Sequence, residues 1–258
     1  MIYSLQMNGL GLLSGLKCNI KGSSAENTCI LRFSHASISN RMFYFDLHCH
    51  SIASDDSRAS VEQYLKWIKR LREKGSKIDG IVLTEHRQFD FSVDYSELSD
   101  NYQTVVLKGA ELDTKHGHFL VYGVSKEMTE IIDFSDVNID SFVLMEIAKQ
   151  TGAIAIPAHP GRSGIGLSEW MKQGIQFPTI DTVERLNGGN RPEEAEIAQD
   201  LALKMDYRGT GGSDAHFVSA IAKCMTAFEN EILNESMLVQ QLLSGTFDAV
   251  ALEEAIMN

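Results

Sequence analysis

The sequence predicts an α/β barrel with its site at the strand ends, and three observations predict it. Apolar strand-like runs alternate with amphipathic helical stretches about seven times after residue 42, the order that lays down parallel strands joined by crossover helices. Neither a GxGxxG fingerprint nor a Walker loop is present, which disfavours an open nucleotide-binding sheet. Acidic residues and histidines recur where the apolar runs stop, at Asp46–His50, Glu85–His86, Glu111, His159 and Asp214–His216. Barrel enzymes build their sites at those strand ends.

Residues 1–41 are rich in Ser, Asn and Gly and carry no helical period, so they read as an N-terminal extension with a short strand at 28–33. The barrel domain then occupies residues 42–258 and opens with a strand over 42–48. Ser60 is placed to cap a helix, and Val61, Tyr64, Leu65, Ile68 and Leu71 follow at helical spacing until Gly75. The basic run Lys66, Lys69, Arg70, Arg72 and Lys74 reads as the solvated face of that helix. Strands are expected at 80–86, 104–112 and 118–124. A helix over 141–152, a buried strand over 153–160 and a short helix over 168–174 follow. A strand over 181–187 precedes a helix opened by Pro192 at its first turn. The stretch 208–216, a short strand at 225–228 and a helix at 236–243 complete the pattern.

Composition narrows the function classes. The 258 residues carry 23 Lys and Arg against 35 Asp and Glu, a net charge of −12, which disfavours a broad nucleic-acid backbone footprint. A local pocket for one small phosphorylated group remains compatible with that balance. Clustered carboxylates repel unless a metal or a basic side chain neutralises them, so the acidity points to a bound cation. No run of about 18 apolar residues exists, so no membrane span is expected. Cys18, Cys29, Cys49 and Cys224 show no CxxC spacing, which argues against a disulfide framework and a thiolate zinc site. The first residues lack a basic leader, and a cytoplasmic setting is expected.

Six of the eight histidines (His48, His50, His86, His118, His159 and His216) fall at or beside predicted strand ends. Imidazole and carboxylate together are the donor set of Zn, Mn or Fe. Side chains at i and i+2 of a strand share a face, so His48 and His50 can grip one ion while Cys49 turns away into packing. Asp46 shares the face of His48, as an orienting group or a barrel-interior residue. Asp214 and His216 repeat the spacing at another strand end.

The stretches DLHCHSIASD (46–55), LTEH (83–86), GAEL (109–112), HFLVYG (118–123), AHPGR (158–162) and GGSDAH (211–216) resemble the PHP (polymerase and histidinol phosphatase) superfamily, in the family's order. The resemblance implies a distorted (β/α)7 barrel whose C-terminal face holds two or three divalent ions. It implies one ion on His48, His50, Glu111 and Asp214; a second on Glu111, His118 and His159; and a third on Asp55, His86 and His216. The family's TDH reads TEH here and its SDG reads SDD, so Glu85 and Asp56 compete for ligand roles, as His116 does with His118. The chain is too short to hold polymerase domains.

The implied reaction is phosphoester hydrolysis by a metal-bridging hydroxide, with Arg162 and, more weakly, Arg191 on the substrate phosphate. Asp214 or His216 passes a proton to the leaving alkoxide. The expected substrate is a small phosphorylated molecule. A nucleotide or a short single-stranded nucleic-acid end is favoured, because the TrpH-like branch also carries DLHCHS and AHPGR stretches. Histidinol phosphate and other metabolite phosphates are the alternatives within the family. An amidohydrolase-like hydrolase would need a bridging lysine at a strand end, which is missing. A non-catalytic metal-binding protein is the remaining reading.

Overall fold

The computed structural model describes residues 41–256, and residues 1–40 of the expected extension, with the strand at 28–33, lie outside the described residues. Nine strands and seven α-helices follow in order among the described residues. They are β1 (Phe43–Cys49), α1 (Val61–Glu73), β2 (Gly80–His86), α2 (Ser96–Tyr102), β3 (Val105–Thr114) and β4 (Gly117–Tyr122). Next come α3 (Lys126–Ile131), α4 (Ser141–Gln150), β5 (Ile154–Pro157), α5 (Leu167–Lys172) and β6 (Thr182–Asn187). The chain continues through α6 (Pro192–Met205), β7 (Arg208–Gly212), β8 (Cys224–Phe228), α7 (Glu235–Ser244) and β9 (Phe247–Ala251). No described helix is long and apolar enough to cross a membrane.

The helices form where the sequence placed them, for local reasons. Ser60 Oγ accepts from Gln63 N while Gln63 Oε1 accepts from Ser60 N, a reciprocal cap that satisfies two otherwise orphaned amides of α1. Val61, Tyr64, Leu65 and Ile68 then bury one stripe of the helix against β1 and β2. The short α2 and α3 and the final strand β9 were not expected, because too few residues carry a period there.

Seven strands make one mixed sheet, in the order β5-β4-β3-β2-β1-β8-β9, and β6 pairs with β7 in a second sheet. The pairs β1–β2, β2–β3 and β6–β7 are parallel; β3–β4, β4–β5, β1–β8 and β8–β9 are antiparallel. The chain just past β7 returns to β1: Asp214 N donates to His48 O (2.7 Å) and His50 N donates to Ala215 O (2.9 Å). On the other side β6 packs against β5.

The architecture is therefore α/β but departs from a repeat of like strand–helix units. The cause is the β3–β4 connection. Its two-residue turn leaves no room for a crossover helix, so β4 must run antiparallel. Gly117 opens β4 at φ +102°, a backbone region that L side chains rarely adopt, and Thr114 Oγ1 donates to its carbonyl (2.6 Å).

Candidate metal centre

Strand ends position every donor. His48 lies on β1 and His50 just beyond it; His86 ends β2; Glu111 lies on β3. His118 is the second residue of the reversed strand β4, so it too stands at the C-terminal face of the parallel strands. His159 follows β5 by two residues, and Asp214 and His216 follow β7. His48, His50, Glu111 and His159 are at most 1% exposed.

Glu111 stands at the centre. Its Oε2 lies 3.0 Å from His48 Nε2, 3.2 Å from His50 Nε2 and 3.3 Å from His86 Nδ1. Its Oε1 lies 2.9 Å from both His118 Nδ1 and His159 Nε2. Asp214 Oδ1 is 3.4 Å from His48 Nε2 and from His50 Nε2, which are themselves 3.0 Å apart. Three sets of donors thus converge: His48, His50, Glu111 and Asp214; Glu111, His118 and His159; and His50, His86 and His216. A buried set of imidazole nitrogens and carboxylate oxygens facing one another fits divalent cations, which such donors bind at about 2.0–2.2 Å.

A further layer orients these donors. Buried Glu184, on β6, accepts from His48 Nδ1 (2.8 Å), His159 N (2.7 Å) and Asn187 Nδ2 (2.9 Å). That fixes the Nδ1–H form of His48 and turns Nε2 inward, the arrangement of a carboxylate–histidine–metal triad. Arg162 Nη2 donates to Asp214 Oδ2 (2.7 Å) and Asn187 Oδ1 (3.0 Å), leaving Asp214 Oδ1 facing the histidines. Glu85 accepts from Ser51 N (3.0 Å) and Ser54 Oγ (2.6 Å), so it fastens the loop after β1 and is absent from the converging sets. Asp46 holds Ser213 N and Ala222 N (2.8 Å each) and so ties β1 to the segment after β7. Burial pushes its carboxyl up to about 6 against those hydrogen bonds. Left-handed backbone occurs at Arg87 (φ 52°), His159 (φ 30°) and Asp214 (φ 52°), all at the site, where strain of this kind concentrates.

Two expectations need correction. Asp55 was expected to complete the third set with His86 and His216. The structure instead brings Asp56 Oδ2 to 3.3 Å from His86 Nε2 and 3.2 Å from His216 Nε2, while Asp55 is exposed and makes no ion pair there. The loop after His50 is a run of turns, in which strand alternation gives no guide to direction. His116 was assigned the same face as His118. It lies in the β3–β4 turn, its Nδ1 paired with Ser141 Oγ (2.8 Å) among Phe142, Trp170 and Phe177. Arg191 is exposed at the start of α6, where its backbone N–H donates to Glu194 Oε2 (2.9 Å) and its carbonyl accepts from Ala195 N (2.9 Å). Glu184 escaped sequence reading altogether; its one signal was an acid inside an otherwise buried strand start, TVE.

The charges of the donors are coupled. Burial opposes protonation of His48, but the carboxylates of Glu184, Asp214 and Glu111 outweigh it and raise its pKa well above the ordinary value. Burial likewise opposes protonation of His50 and His118, and their carboxylate partners raise them. Burial dominates at His86, lowered to about 4, and at His159. Burial would raise Glu111 and Asp214, yet the surrounding imidazoles hold both well below the usual range.

In metal-free protein the raised imidazoles stabilise the fold below their ordinary range and lose that effect as pH rises through their raised values. The depressed carboxylates lose theirs as pH falls. Cations must displace the protons on His48, His50 and His118. Loading is therefore expected to release protons and to tighten as pH rises through the raised range of these imidazoles. Calorimetry in two buffers of different ionisation enthalpy counts those protons; uptake, or tighter binding in acid, would contradict the coupling.

Comparison with known proteins gives three further facts. The PHP-associated family matches residues 192–247, the stretch from α6 to the start of β9 that includes Asp214 and His216. No curated protein matches the chain at a significant level. Among solved structures, PsfC from Pseudomonas syringae PB-5123 aligns with a TM-score of 0.60 at 18% identity, over 83% of this chain and 93% of that chain. A two-domain protein from Bacteroides vulgatus containing a predicted PHP-like metal-dependent phosphoesterase aligns at 0.53 and 19%, over 83% of this chain and 66% of that one. The lesion-specific endonuclease PfuEndoQ from Pyrococcus furiosus aligns at 0.58 and 12%, over 81% of this chain and 58% of that one. The chain is thus similar in sequence to the PHP-associated family over 192–247, and in fold, over about four fifths of its length, to these solved structures.

Proposed function

We propose that the protein is a metal-dependent phosphoesterase that hydrolyses a small phosphorylated substrate on a distorted (β/α)7 barrel of the PHP type. One observation carries this reading: three donor sets share Glu111 and His50, so two or three ions would sit side by side. Adjacent divalent ions of Zn, Mn or Fe type, when bound, bring a water towards neutral pKa and neutralise phosphoryl oxygens. His48, His50, Glu111 and Asp214 would hold one ion, Glu111, His118 and His159 another, and His86, His216 and Asp56 a third, with His50 beside the last.

The chain's own groups do the rest. Arg162 keeps Asp214 Oδ2 occupied and presents the remaining guanidinium donors to a phosphate. His216 Nδ1 lies 2.9 Å from the Asp214 carbonyl, so it carries the proton and leaves Nε2 at the rim. That leaves Nε2 of His216 to hold an ion, so the leaving alkoxide would take its proton from water at the centre. The similarity to a lesion-specific endonuclease supports a nucleic-acid phosphoester as substrate, and the TrpH-like character of the motifs supports a nucleotide or a short single-stranded nucleic-acid end. The net charge of −12 favours short substrates over long duplexes. The bridging place that an amidohydrolase gives to a lysine is filled by Glu111.

Elemental analysis of the purified protein should find at least one divalent ion per chain. A panel of p-nitrophenyl phosphate and mono-, bis- and oligonucleotide phosphates with Mn should show turnover. His48→Ala should lower it at least about 100-fold. Inactivity of metal-loaded protein across metals and phosphoesters would leave a non-catalytic metal-binding protein in its place.

A further inference from the structure

Resting on the phosphoesterase reading above, we propose that Arg87 is a second phosphate-contacting residue and that, with Arg162, it brackets the substrate anion around His118. Nothing in the sequence motifs points to it; it simply follows His86 in the stretch TEHRQ.

The backbone at Arg87 is left-handed at φ 52°, although the residue is neither Gly nor Asn. Its N–H donates to Glu111 O at 2.9 Å, so this conformation is locked onto the same residue that anchors the metal centre. The side chain is 37% exposed, and Nη1 donates to Asp113 Oδ2 at 3.1 Å. Asp113 Oδ1 in turn lies 3.5 Å from His118 Nε2.

A half-exposed ion pair adds little stability in water, so the Asp113 contact alone does not account for a strained backbone at this point. Among the described residues Arg87 uses a single side-chain donor, which leaves most of the guanidinium fork free for a second acceptor. Arg162 stands at the Asp214 corner of the centre, its Nη2 donating to Asp214 Oδ2 at 2.7 Å. A phosphate seated over His118 would meet a guanidinium on either flank. Planar forks matched to tetrahedral oxygens in this way supply orientation as well as charge.

The test uses the full chain loaded with Mn, with inorganic phosphate as the binding probe and p-nitrophenyl phosphate as the substrate. Arg87→Ala is expected to weaken phosphate binding by calorimetry, and to raise KM, by about 10- to 100-fold. Metal content should stay at the wild-type level. Arg87→Lys should recover part of the loss, because it restores the charge but not the fork. Phosphate affinity within about 2-fold of wild type in Arg87→Ala overturns the inference. So does a loss of bound metal that accounts for the change, because Arg87 would then act only by steadying Asp113 beside His118. Wild-type protein that turns over no phosphoester overturns the phosphoesterase reading instead, whatever the Arg87 variants do.

Discussion

Glu111→Gln protein is expected to lose at least one of its bound ions and roughly 10²- to 10³-fold in metal affinity, with hydrolysis falling in step. Five imidazoles meet this one carboxylate, within 3.3 Å. The amide removes the negative charge shared by two of the three donor sets and points N–H groups at nitrogens that need an acceptor. Removing one partner from a buried charged network costs about 3–5 kcal/mol, the basis of the range given. Elemental analysis and Mn titration of the variant read the outcome directly. A Glu111→Gln protein with a full complement of metal and wild-type turnover would refute the central place given to this residue.

Gly212→Ala should be nearly as damaging, although it adds only a methyl group. That carbon would overlap His48 Cβ and come within 2.8 Å of both Glu184 Oε1 and His48 N. None of these atoms is the free end of a flexible side chain: two belong to the anchored start of His48, and the third is already hydrogen-bonded to its ring. Overpacking of this kind costs about 1–3 kcal/mol, which corresponds to a fall of roughly 2–12 °C in Tm for a domain of this size. Displacement of His48 from Glu184 should add about a 10- to 100-fold loss in metal affinity. Thermal melting with and without Mn separates the two effects. Unchanged melting and unchanged loading would show that His48 tolerates a shift that the packing forbids.

The donors were legible because strand physics constrains them. An i, i+2 pair such as His48 and His50 must share a face, and parallel strands present their ends to one side of the sheet. The orienting shell was not legible. Glu184 sits in TVERLN, where the residues before it are buried equally, so no alternation distinguishes its carboxylate from a surface acid. A register shift between Glu184 and Leu186 further blurs the period. Asp56 was passed over for Asp55 because a turn has no two-residue repeat, and Arg87 was passed over because a left-handed φ leaves no trace in composition. In the fold, the periods located every strand but β9, whereas the order of the strands in the sheets and the direction of β4 depended on the connections between them.

The separate pairing of β6 with β7 has a consequence for how the molecule holds together. Asp214 and Glu184 hang from that small layer, whereas His48, His50, His86, Glu111 and His118 hang from the large one. Ions lodged between them would act as rivets beside the backbone bonds that join Asp214 and Ala215 to β1, so filling the centre would add to the stability of the fold. Stripping the rivets should therefore loosen the β6–β7 flank before the wider sheet yields.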